Sequence, residues 1–283
     1  MTTTRDEPPA MSTARLETVA AWIAGARSVV ALTGAGISTD SGIPDFRGPK
    51  GVWTTNPAAE KLSDIRYYMA DRDVRVAAWQ SRLEHPAWTA EPNAGHRALA
   101  DLERIGRLHT LVTQNVDGLH QQAGSSPGSV VEIHGTIREV MCMACDERAP
   151  MQRALDRVRS GEDDPPCRSC GGILKSATIS FGQSLVPGDL DRAQRAASGC
   201  DAFLAVGTSL TVYPVAYLPE EALAAGARLI IVNAEPTPYD SRAHATFSEP
   251  IGDVLPRLVE LVAAKGPKAE TGMRPPPPAV GNP

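Results

Sequence analysis

The sequence predicts an α/β fold in which helices cover both faces of a parallel β-sheet. Five short runs of apolar and β-branched residues are bounded by Gly, Asn, Asp or Ser, a pattern typical of buried parallel strands. These runs are Val29–Thr33, Leu108–Thr113, Val130–His134, Ala202–Val206 and Arg228–Val232. Helical segments lie between some of them, and this alternation predicts a doubly wound, Rossmann-like parallel sheet.

Three segments carry the apolar spacing of amphipathic helices. The first follows Ser12, a favourable capping residue, and repeats apolar residues at i, i+3, i+4 and i+7 from Leu16. The second begins at Asn93, and the third repeats the spacing from Leu255. These helices account for part of the covering that a parallel sheet needs on its two faces.

Two stretches interrupt the alternation and predict a smaller inserted domain. The large domain is predicted to comprise residues 12–49, 92–138 and 176–265, and the small domain residues 50–91 and 139–175. Residues 1–11 and the proline-rich residues 266–283 have compositions that cannot bury a core. Both are therefore predicted to be disordered tails.

Composition and charge exclude several classes of protein. With 28 basic and 33 acidic residues the net charge is −5, and no basic stripe is present that would hold a nucleic-acid backbone. The longest apolar runs are too short to span a bilayer, and the N-terminus has no apolar segment typical of an export signal. We expect a cytoplasmic protein that binds neither nucleic acid nor membrane.

Four of the five cysteines form two Cys-x-x-Cys pairs, at Cys142 and Cys145 and at Cys167 and Cys170. In a chain expected to be cytoplasmic, metal binding is a better interpretation of this pattern than disulfides. Four thiolates complete a tetrahedral zinc shell and leave no open position, so we predict a structural zinc within residues 142–170. Cys200 stands alone and is predicted to be buried.

The stretch "LTGAGISTDSGIPDFRG", residues 32–48, begins like a nucleotide-binding turn. Gly34 and Gly36 follow a predicted strand, where backbone N–H groups can face a pyrophosphate. The third glycine of the dinucleotide fingerprint is replaced by Thr39, which argues against a dehydrogenase. Pro44 and its neighbours predict a long loop that could close over a ligand, with Phe46 covering it. A tight structural turn and a surface loop remain alternatives.

Polar residues also follow the other predicted strands. The carboxyl ends of parallel strands are where α/β folds form their ligand sites. His134 ends one strand, and a histidine there is suited to proton transfer near neutral pH. The remaining polar residues at strand ends are Gln114, Asn115, Asp117, Gly207, Thr208, Ser209, Asn233 and Glu235. Each could alternatively be a turn or a strand cap, and most single histidines, including His85, His96 and His120, are predicted to be structural.

These motifs together resemble those of the sirtuins, the NAD-dependent protein deacylases. The resemblance covers roughly residues 13–263. It rests on "GAGISTDSGIPDFRG", "TQNVDGLH", "EIHG", the paired cysteines, "SFGQSL", "VGTSLTVYP" and "VNAEPT", which occur in the order that the family has.

The resemblance implies a role for each motif. It makes His134 the general base, with Asn115 positioning the nicotinamide ribose and Asp117 binding the nicotinamide amide. It implies that the extended substrate peptide pairs with the backbone of Ile179, Ser180, Phe181 and Gly182. It implies that NAD contacts Gly34, Ala35, Gly36, Ser38, Asp45, Phe46, Arg47, Gln114, Asn115, Val116, Asp117, Gly207, Thr208, Ser209, Asn233, Glu235, Asp253 and Val254.

The implied reaction transfers an acyl group from a lysine side chain to ADP-ribose and releases nicotinamide. Acetyl is the expected acyl group, and the enzyme is expected to be a monomer acting on acyl-lysine proteins or peptides. Sirtuins that prefer succinyl or malonyl groups carry a Tyr-x-x-Arg pair, which reads Trp79 and Arg82 here. These two residues are predicted to contact the acyl group. A desuccinylase, a long-chain deacylase and a mono-ADP-ribosyltransferase remain alternatives.

Overall fold

The computed structural model describes residues 12–46, 48, 51–55 and 61–266. Nine strands lie in this part of the chain: β1 Val29–Thr33, β2 Leu108–Thr113, β3 Val130–Glu132, β4 Gly135–Cys142, β5 Arg148–Pro150, β6 Leu174–Thr178, β7 Ala202–Val206, β8 Arg228–Val232 and β9 Ala245–Phe247. Six of them form a sheet in the order β3-β2-β1-β7-β8-β9, and every neighbouring pair in it is parallel.

The helices pack on both faces of this sheet and against the insertions. They are α1 Thr13–Gly25, α2 Val52–Thr55, α3 Ile65–Ala70, α4 Arg72–Leu83, α5 Ala94–Arg104, α6 Leu119–Gln122, α7 Met151–Arg159, α8 Pro187–Ser198, α9 Leu218–Ala224 and α10 Ile251–Ala263. A 3-10 helix over Ala35–Ser41 follows β1 directly. The described part of the chain contains no helix that is both long and apolar enough to cross a membrane.

Alternate residues of the central strand β1 point to opposite faces of the sheet. Val29 and Ala31 pack in a core shared with α1, α5 and α10. Val30 and Leu32 pack in a second core shared with α8 and α9. Both faces of β1 are thus buried, which explains why its sequence is continuously apolar instead of alternating.

The insertions form a second, smaller layer. Here β4 lies between β5 and β6 in an antiparallel sheet. Trp79 of α4 and Met151 and Leu155 of α7 pack on this sheet in a core of their own. Both β4 and β6 cross the predicted domain boundaries, at residues 138 and 176, and the division into two domains stays a proposal.

The structure confirms the predicted bounds of β1, β2, β7 and β8. The strand predicted over Val130–His134 ends at Glu132, although the Ile133 N–H still donates to the Thr113 carbonyl at 3.0 Å. His134 therefore lies in the turn between β3 and β4. Residues 1–11 and 267–283 of the predicted tails lie outside the described residues, whereas the Gly266 carbonyl accepts a hydrogen bond from Arg107 Nη2.

Candidate active site

The carboxyl ends of β1, β2, β7 and β8 face one cleft of about 1400 Å³, which residues of the small layer also line. Parallel strands end at the same sheet edge, so residues distant in sequence converge there. The cleft is lined by these residues predicted from sequence: Gly34, Ala35, Gly36, Ser38, Asp45, Phe46, Arg82, Gln114, Asn115, Val116, Asp117, His134, Ile179, Ser180, Phe181, Gly182, Gly207, Thr208, Ser209, Asn233 and Glu235.

Among the described residues predicted to contact NAD or the acyl group, three do not line the cleft: Trp79, Asp253 and Val254. Trp79 is fully buried in the core of the small layer, where its ring packs with its neighbours instead of facing a ligand. Val254 is buried beneath the parallel sheet, and Asp253 is exposed in the first turn of α10. Arg47 lies outside the described residues, and its contact with NAD stays a prediction.

The turn after β1 packs against the turn after β7. The Gly34 N–H donates to the Val206 carbonyl and the Gly36 N–H to the Gly207 carbonyl, at 3.1 and 2.9 Å. Gly207 has φ +60°, and a Cβ on it would lie 2.4 Å from the Ile37 nitrogen. The N–H groups of Gly34 and Gly36 are thus used within the protein, and these glycines allow two strand ends to approach closely. The contact of this turn with a pyrophosphate stays a prediction.

Gln114 connects the ends of three strands. Its backbone N–H donates to the Thr33 carbonyl at 2.9 Å, which continues the sheet ladder beyond β2. Its side-chain Nε2 donates to Thr208 Oγ1 at 2.9 Å. Because both bonds use protein partners, the position of the Gln114 carbonyl is set before any ligand binds.

That carbonyl orients the His134 ring. His134 Nδ1 donates to the Gln114 carbonyl at 3.1 Å, so a neutral ring has its lone pair on Nε2, the arrangement of a general base. Burial lowers the pKa of His134, opposed by the hydrogen bond to Gln114. The space beside Gly135 is taken by β6, since a Cβ there would lie 2.1 Å from the Ala177 carbonyl oxygen. Gly135 thus allows β6 to approach closely, and the His134 ring still lines the cleft.

Ser38 is at the centre of a buried hydrogen-bond network. Its Oγ donates to Asp117 Oδ2 at 2.8 Å and accepts from Asn115 Nδ2 at 3.1 Å. The other oxygen of Asp117 accepts from the Leu119 N–H at 2.9 Å, and Asn115 Nδ2 also reaches the Gly34 carbonyl. This network fixes the carboxylate and the amide without a ligand.

His96, which the sequence predicts to be structural, completes this network, and its contact with Ser38 was not predicted. The Asn93 N–H donates to His96 Nδ1, which leaves the proton on Nε2 to be donated to Ser38 Oγ at 3.4 Å. Burial lowers the pKa of His96 to about 4 against the opposing charge of Asp117, so the ring is neutral at physiological pH. The Asn93-x-x-His96 spacing of a helix cap is the signal that could have located it.

His120 is structural, as predicted. Its Nε2 hydrogen-bonds Thr33 Oγ1 at 2.9 Å, and Thr33 Oγ1 donates to Thr113 Oγ1 at 2.8 Å. Burial and the neighbouring His96 lower the pKa of His120. The ring stabilises the ends of β1 and β2 beneath the site.

The loop after the 3-10 helix lines one side of the cleft. Asp45 Oδ1 accepts the Gly48 N–H at 3.0 Å, and the Asp45 carbonyl accepts the Val52 N–H at 2.8 Å. Phe46 is 45% exposed and faces the cleft. The loop thus presents its ring at the position expected for covering a ligand.

The segment after β6 lies beside His134. The Ile179 N–H donates to the His134 carbonyl at 2.8 Å. The backbone of Phe181 pairs with a neighbouring segment, since its N–H donates to the Ser63 carbonyl and its carbonyl accepts the Ile65 N–H. The Phe181 backbone is therefore already paired with this neighbouring segment, and the pairing of a substrate peptide with residues 179–182 stays a prediction.

The four clustered cysteines bring their sulfurs together. All four Sγ atoms lie within 4.8 Å of one another, and the Cys142–Cys170 and Cys145–Cys167 pairs are 3.5 and 3.8 Å apart. A disulfide requires about 2.05 Å. Sulfurs around a tetrahedral zinc are about 3.8 Å apart, because each Zn–S bond is about 2.3 Å. The cluster fits one zinc ion in a closed shell.

The wall formed by the small layer carries cationic groups. Arg82 Nη2 donates to Ser176 Oγ at 3.1 Å, but Nη1 is buried without a hydrogen-bond partner among the described residues. Trp79 Nε1 is also buried without a hydrogen-bond partner among the described residues. Lys175 is fully buried, and desolvation together with the Arg82 charge lowers its pKa to about 7. Lys175 donates to the Ser176 and Thr178 carbonyls, so the unpaired donors among the described residues here are Arg82 Nη1 at the cleft and Trp79 Nε1 in the core behind it.

The fold and site define a class: α/β proteins that bind a nucleotide at the carboxyl edge of a parallel sheet and carry a cysteine metal module. The sequence model of the Sir2 family matches residues 34–214. The chain belongs to the Sir2 family, as its motifs predicted.

This chain aligns with nearly the whole length of its relatives. The NAD-dependent protein deacetylase 2 of Streptomyces coelicolor is 54% identical over 231 residues, covering 82% of this chain and 96% of the relative. The NAD-dependent protein deacetylase of Caldivirga maquilingensis is 42% identical, covering 86% and 93%. A solved structure of Sir2 with a p53 peptide and NAD+ has a TM-score of 0.79 at 32% identity, covering 88% of this chain and 99% of its own.

Proposed function

We infer that this protein is an NAD-dependent protein-lysine deacetylase. The observation that carries this conclusion is the placement of His134, with a free lone pair on Nε2, at the edge of the cleft that the Ser38, Asn115 and Asp117 network lines. The relatives named as NAD-dependent deacetylases support the same activity. NAD, when bound, supplies an ADP-ribose that accepts the acyl group as nicotinamide leaves.

His134 is proposed to take a proton from a ribose hydroxyl of the bound dinucleotide through Nε2. The Gln114 carbonyl holds Nδ1–H and so keeps the ring in the basic tautomer. Because burial lowers the pKa of His134, the ring stays unprotonated at pH values at which an ordinary histidine already takes up a proton. Proton transfer is therefore expected to remain efficient under mildly acidic conditions.

The remaining cleft residues are proposed to orient the dinucleotide. Asp117 and Asn115 would hold the nicotinamide end, because the Ser38 network fixes both side chains. Thr208, Ser209, Asn233 and Glu235 offer the hydroxyl, amide and carboxylate groups that phosphates and ribose hydroxyls require. The residues Gly34, Gly36 and Gly207 bring these strand ends together.

Zinc is proposed to be structural. The sulfur cluster belongs to the small layer and includes two buried cysteines, Cys142 and Cys167. A closed four-sulfur shell has no position for a substrate. We further propose that the protein acts as a cytoplasmic monomer on acyl-lysine peptides and binds neither nucleic acid nor membrane.

The test uses an acetyl-lysine peptide, NAD and mass spectrometry. A deacetylase removes the acetyl group from the peptide and releases nicotinamide. A mono-ADP-ribosyltransferase would instead add mass to the protein or peptide while the acetyl group stays. Release of nicotinamide without loss of acetyl would contradict the proposed function.

A second candidate substrate is lysine carrying an acyl group that ends in a carboxylate. Arg82 lines the cleft, and its buried Nη1 has no partner among the described residues. A carboxylate would pair with this guanidinium and remove the cost of the unsatisfied donor. Succinyl-lysine is the alternative that this observation favours.

The comparison of wild type with Arg82→Met on paired acetyl and succinyl peptides tests this candidate. If the guanidinium binds the carboxylate, the variant loses succinyl turnover by about 100-fold, as expected for one charge-assisted pair, and keeps acetyl turnover. Ser81→Ala, which changes the neighbouring residue, is the matched control. Equal losses on both peptides would show that Arg82 does not recognise the carboxylate.

A further inference from the structure

The backbone of Asp117 is held by Arg138, a residue that the reaction above does not use. The Arg138 guanidinium donates through Nε and Nη2 to the Asp117 carbonyl, at 3.0 and 2.7 Å. Nη2 also donates to the Ala87 carbonyl at 3.0 Å. One half-buried side chain of β4 therefore joins the turn after β2 to the segment that follows α4.

A bulge in β4 brings Arg138 to this position. The strands β4 and β6 pair at both ends of the bulge, but four residues of β4, 136–139, lie opposite a single residue of β6. Inside the bulge, the Ile137 N–H donates to the Val116 carbonyl at 2.9 Å. The strand thus leaves β6 here and contacts the turn that carries Asp117, as bulges beside ligand sites commonly do.

The two segments that Arg138 joins both reach the cleft. The Arg138 guanidinium carbon lies 5.4 Å from the centre of the Trp88 ring, a cation–π contact with the second segment. Gly118, with φ +73°, leaves room for the guanidinium, because a Cβ there would lie 3.2 Å from Arg138 Nε. The cleft-lining residues of the two segments are Asn115, Val116, Asp117, Glu84, His85 and Pro86.

The Asp117 carboxylate keeps capacity for a ligand. Its Oδ2 accepts from Ser38 Oγ, and its Oδ1 accepts from the Leu119 N–H. An ionised carboxylate offers about four lone-pair sites, so it can still accept from an amide N–H₂ in the cleft. Such a bond weakens steeply when its distance or angle changes, and it therefore depends on a fixed Asp117 backbone.

We propose that Arg138 is a positioning residue for nicotinamide and acts through Asp117. The proposal rests on the proposed function, in which Asp117 holds the nicotinamide end of NAD. Arg138 itself is not among the cleft-lining residues of the described chain. Because NAD and released nicotinamide carry the same carboxamide, Arg138 sets the affinity for both. ADP-ribose lacks the carboxamide, and its affinity does not depend on Arg138.

The expected effect follows from loss of the bonds to the two carbonyls. Arg138→Met keeps the apolar stem and removes every donor. The KM for NAD and the nicotinamide concentration that halves the rate should each rise about tenfold. The Kd for ADP-ribose should stay within about twofold. Arg138→Lys restores a point donor that reaches one carbonyl but not both, so both rises should be about threefold.

The experiment measures deacetylation of an acetyl-lysine peptide against NAD and against added nicotinamide, and binding of ADP-ribose by calorimetry. Wild type, Arg138→Met, Arg138→Lys and Arg148→Met are compared. Arg148 of β5 forms an exposed ion pair with Glu139 at 3.0 Å and is not among the cleft-lining residues, which makes it the matched control. It should behave as wild type in all three measurements.

Unchanged nicotinamide inhibition in Arg138→Met would overturn the proposal. An equal loss of ADP-ribose affinity would also overturn it, because a residue needed only for folding weakens both ligands together. If Arg138→Met does not fold, Arg138→Lys decides: the threefold rise with unchanged ADP-ribose binding supports the proposal, and no rise contradicts it. If wild type removes no acetyl group, the proposed function itself fails, which is a distinct result.

Discussion

The two walls of the cleft differ in how their polar groups are satisfied. On the parallel-sheet wall, Ser38 Oγ donates one hydrogen bond and accepts others, and Asp117 has partners on both oxygens. On the small-layer wall, Arg82 Nη1 is buried without a hydrogen-bond partner in the described part of the chain. Elsewhere in the small layer, away from the cleft-lining residues, four cysteine sulfurs are arranged for a metal. The first wall is therefore organised by protein contacts alone, whereas the second depends on groups that must be added.

The largest expected effect is loss of the metal from the small layer, which supports the second wall. Cys145→Ser removes one of four ligands, and binding of structural zinc contributes about 10 kcal/mol to folding. We expect the zinc content to fall from one ion per chain to near zero and the activity to be lost. Atomic absorption measures the zinc content, and nicotinamide release measures the activity.

Cys200→Ala is the matched control for that variant. Cys200 is the fifth cysteine and packs in the core beside the parallel sheet, away from the cluster. Its substitution should leave the zinc content at one ion per chain. Equal zinc contents in the two variants would mean that the cluster does not bind the metal.

The next largest effect concerns His134, the proposed general base at the parallel-sheet wall. His134→Ala removes the proton acceptor while leaving Gln114 bonded to Thr33 and Thr208. General-base catalysis contributes about 1000-fold, so kcat should fall by about that factor while the Kd for NAD changes little. Calorimetric titration with NAD separates the two quantities. Turnover near the wild-type value would remove His134 from the mechanism.

A smaller effect tests whether the first wall is organised by Ser38. Ser38→Ala leaves Asp117 Oδ2 and the His96 donor without their shared partner. An unsatisfied buried group costs about 2 kcal/mol, which corresponds to about 30-fold in kcat/KM. Ser41→Ala, on the same 3-10 helix but bonded to Asn93, should cost less than about threefold. Similar losses in both would contradict a specific role for Ser38.

The smallest effect per substitution concerns how the free energy of unfolding depends on pH, through the buried Lys175 of the small layer. Burial lowers the pKa of Lys175 to about 7 in the folded state, against 10.5 for the free side chain. Between these values the unfolded chain binds more protons, so the free energy of unfolding rises with pH by about 1 kcal/mol per unit. Lys175→Met should flatten this rise in urea denaturation at pH 7 and 9. The exposed Lys265→Met should leave it unchanged.

The central strands could be predicted from sequence because both of their faces are buried. Apolar runs at β1, β7 and β8 carry a signal that does not depend on neighbouring elements. In β2, His109 is exposed, and the buried run is confined to its last three residues. The strand β9 has only three residues, and β4 is mostly half-buried with three separate buried positions, so neither gave such a run. The strands β9 and β4 form because they pair with β8 and β6, respectively.

The site residues that directly follow a strand could be predicted from sequence. Those that reach the site only through the packing of helices could not. Asn115, His134 and Thr208 lie at strand ends and converge because the sheet is parallel. His96 reaches Ser38 only because α5 packs beside the 3-10 helix, and periodicity does not reveal this contact. The rotation of α4 places Trp79 in the core and Arg82 at the cleft, a distinction that spacing in sequence could not make.

The stoichiometry of the reaction tests the central claim most directly. Wild-type protein is incubated with NAD and an acetyl-lysine peptide, and nicotinamide and deacetylated peptide are quantified in the same sample. A cleft organised around His134 predicts equal amounts of the two products and the loss of deacetylated peptide in His134→Ala. Nicotinamide release with the acetyl group still on the peptide would contradict the account.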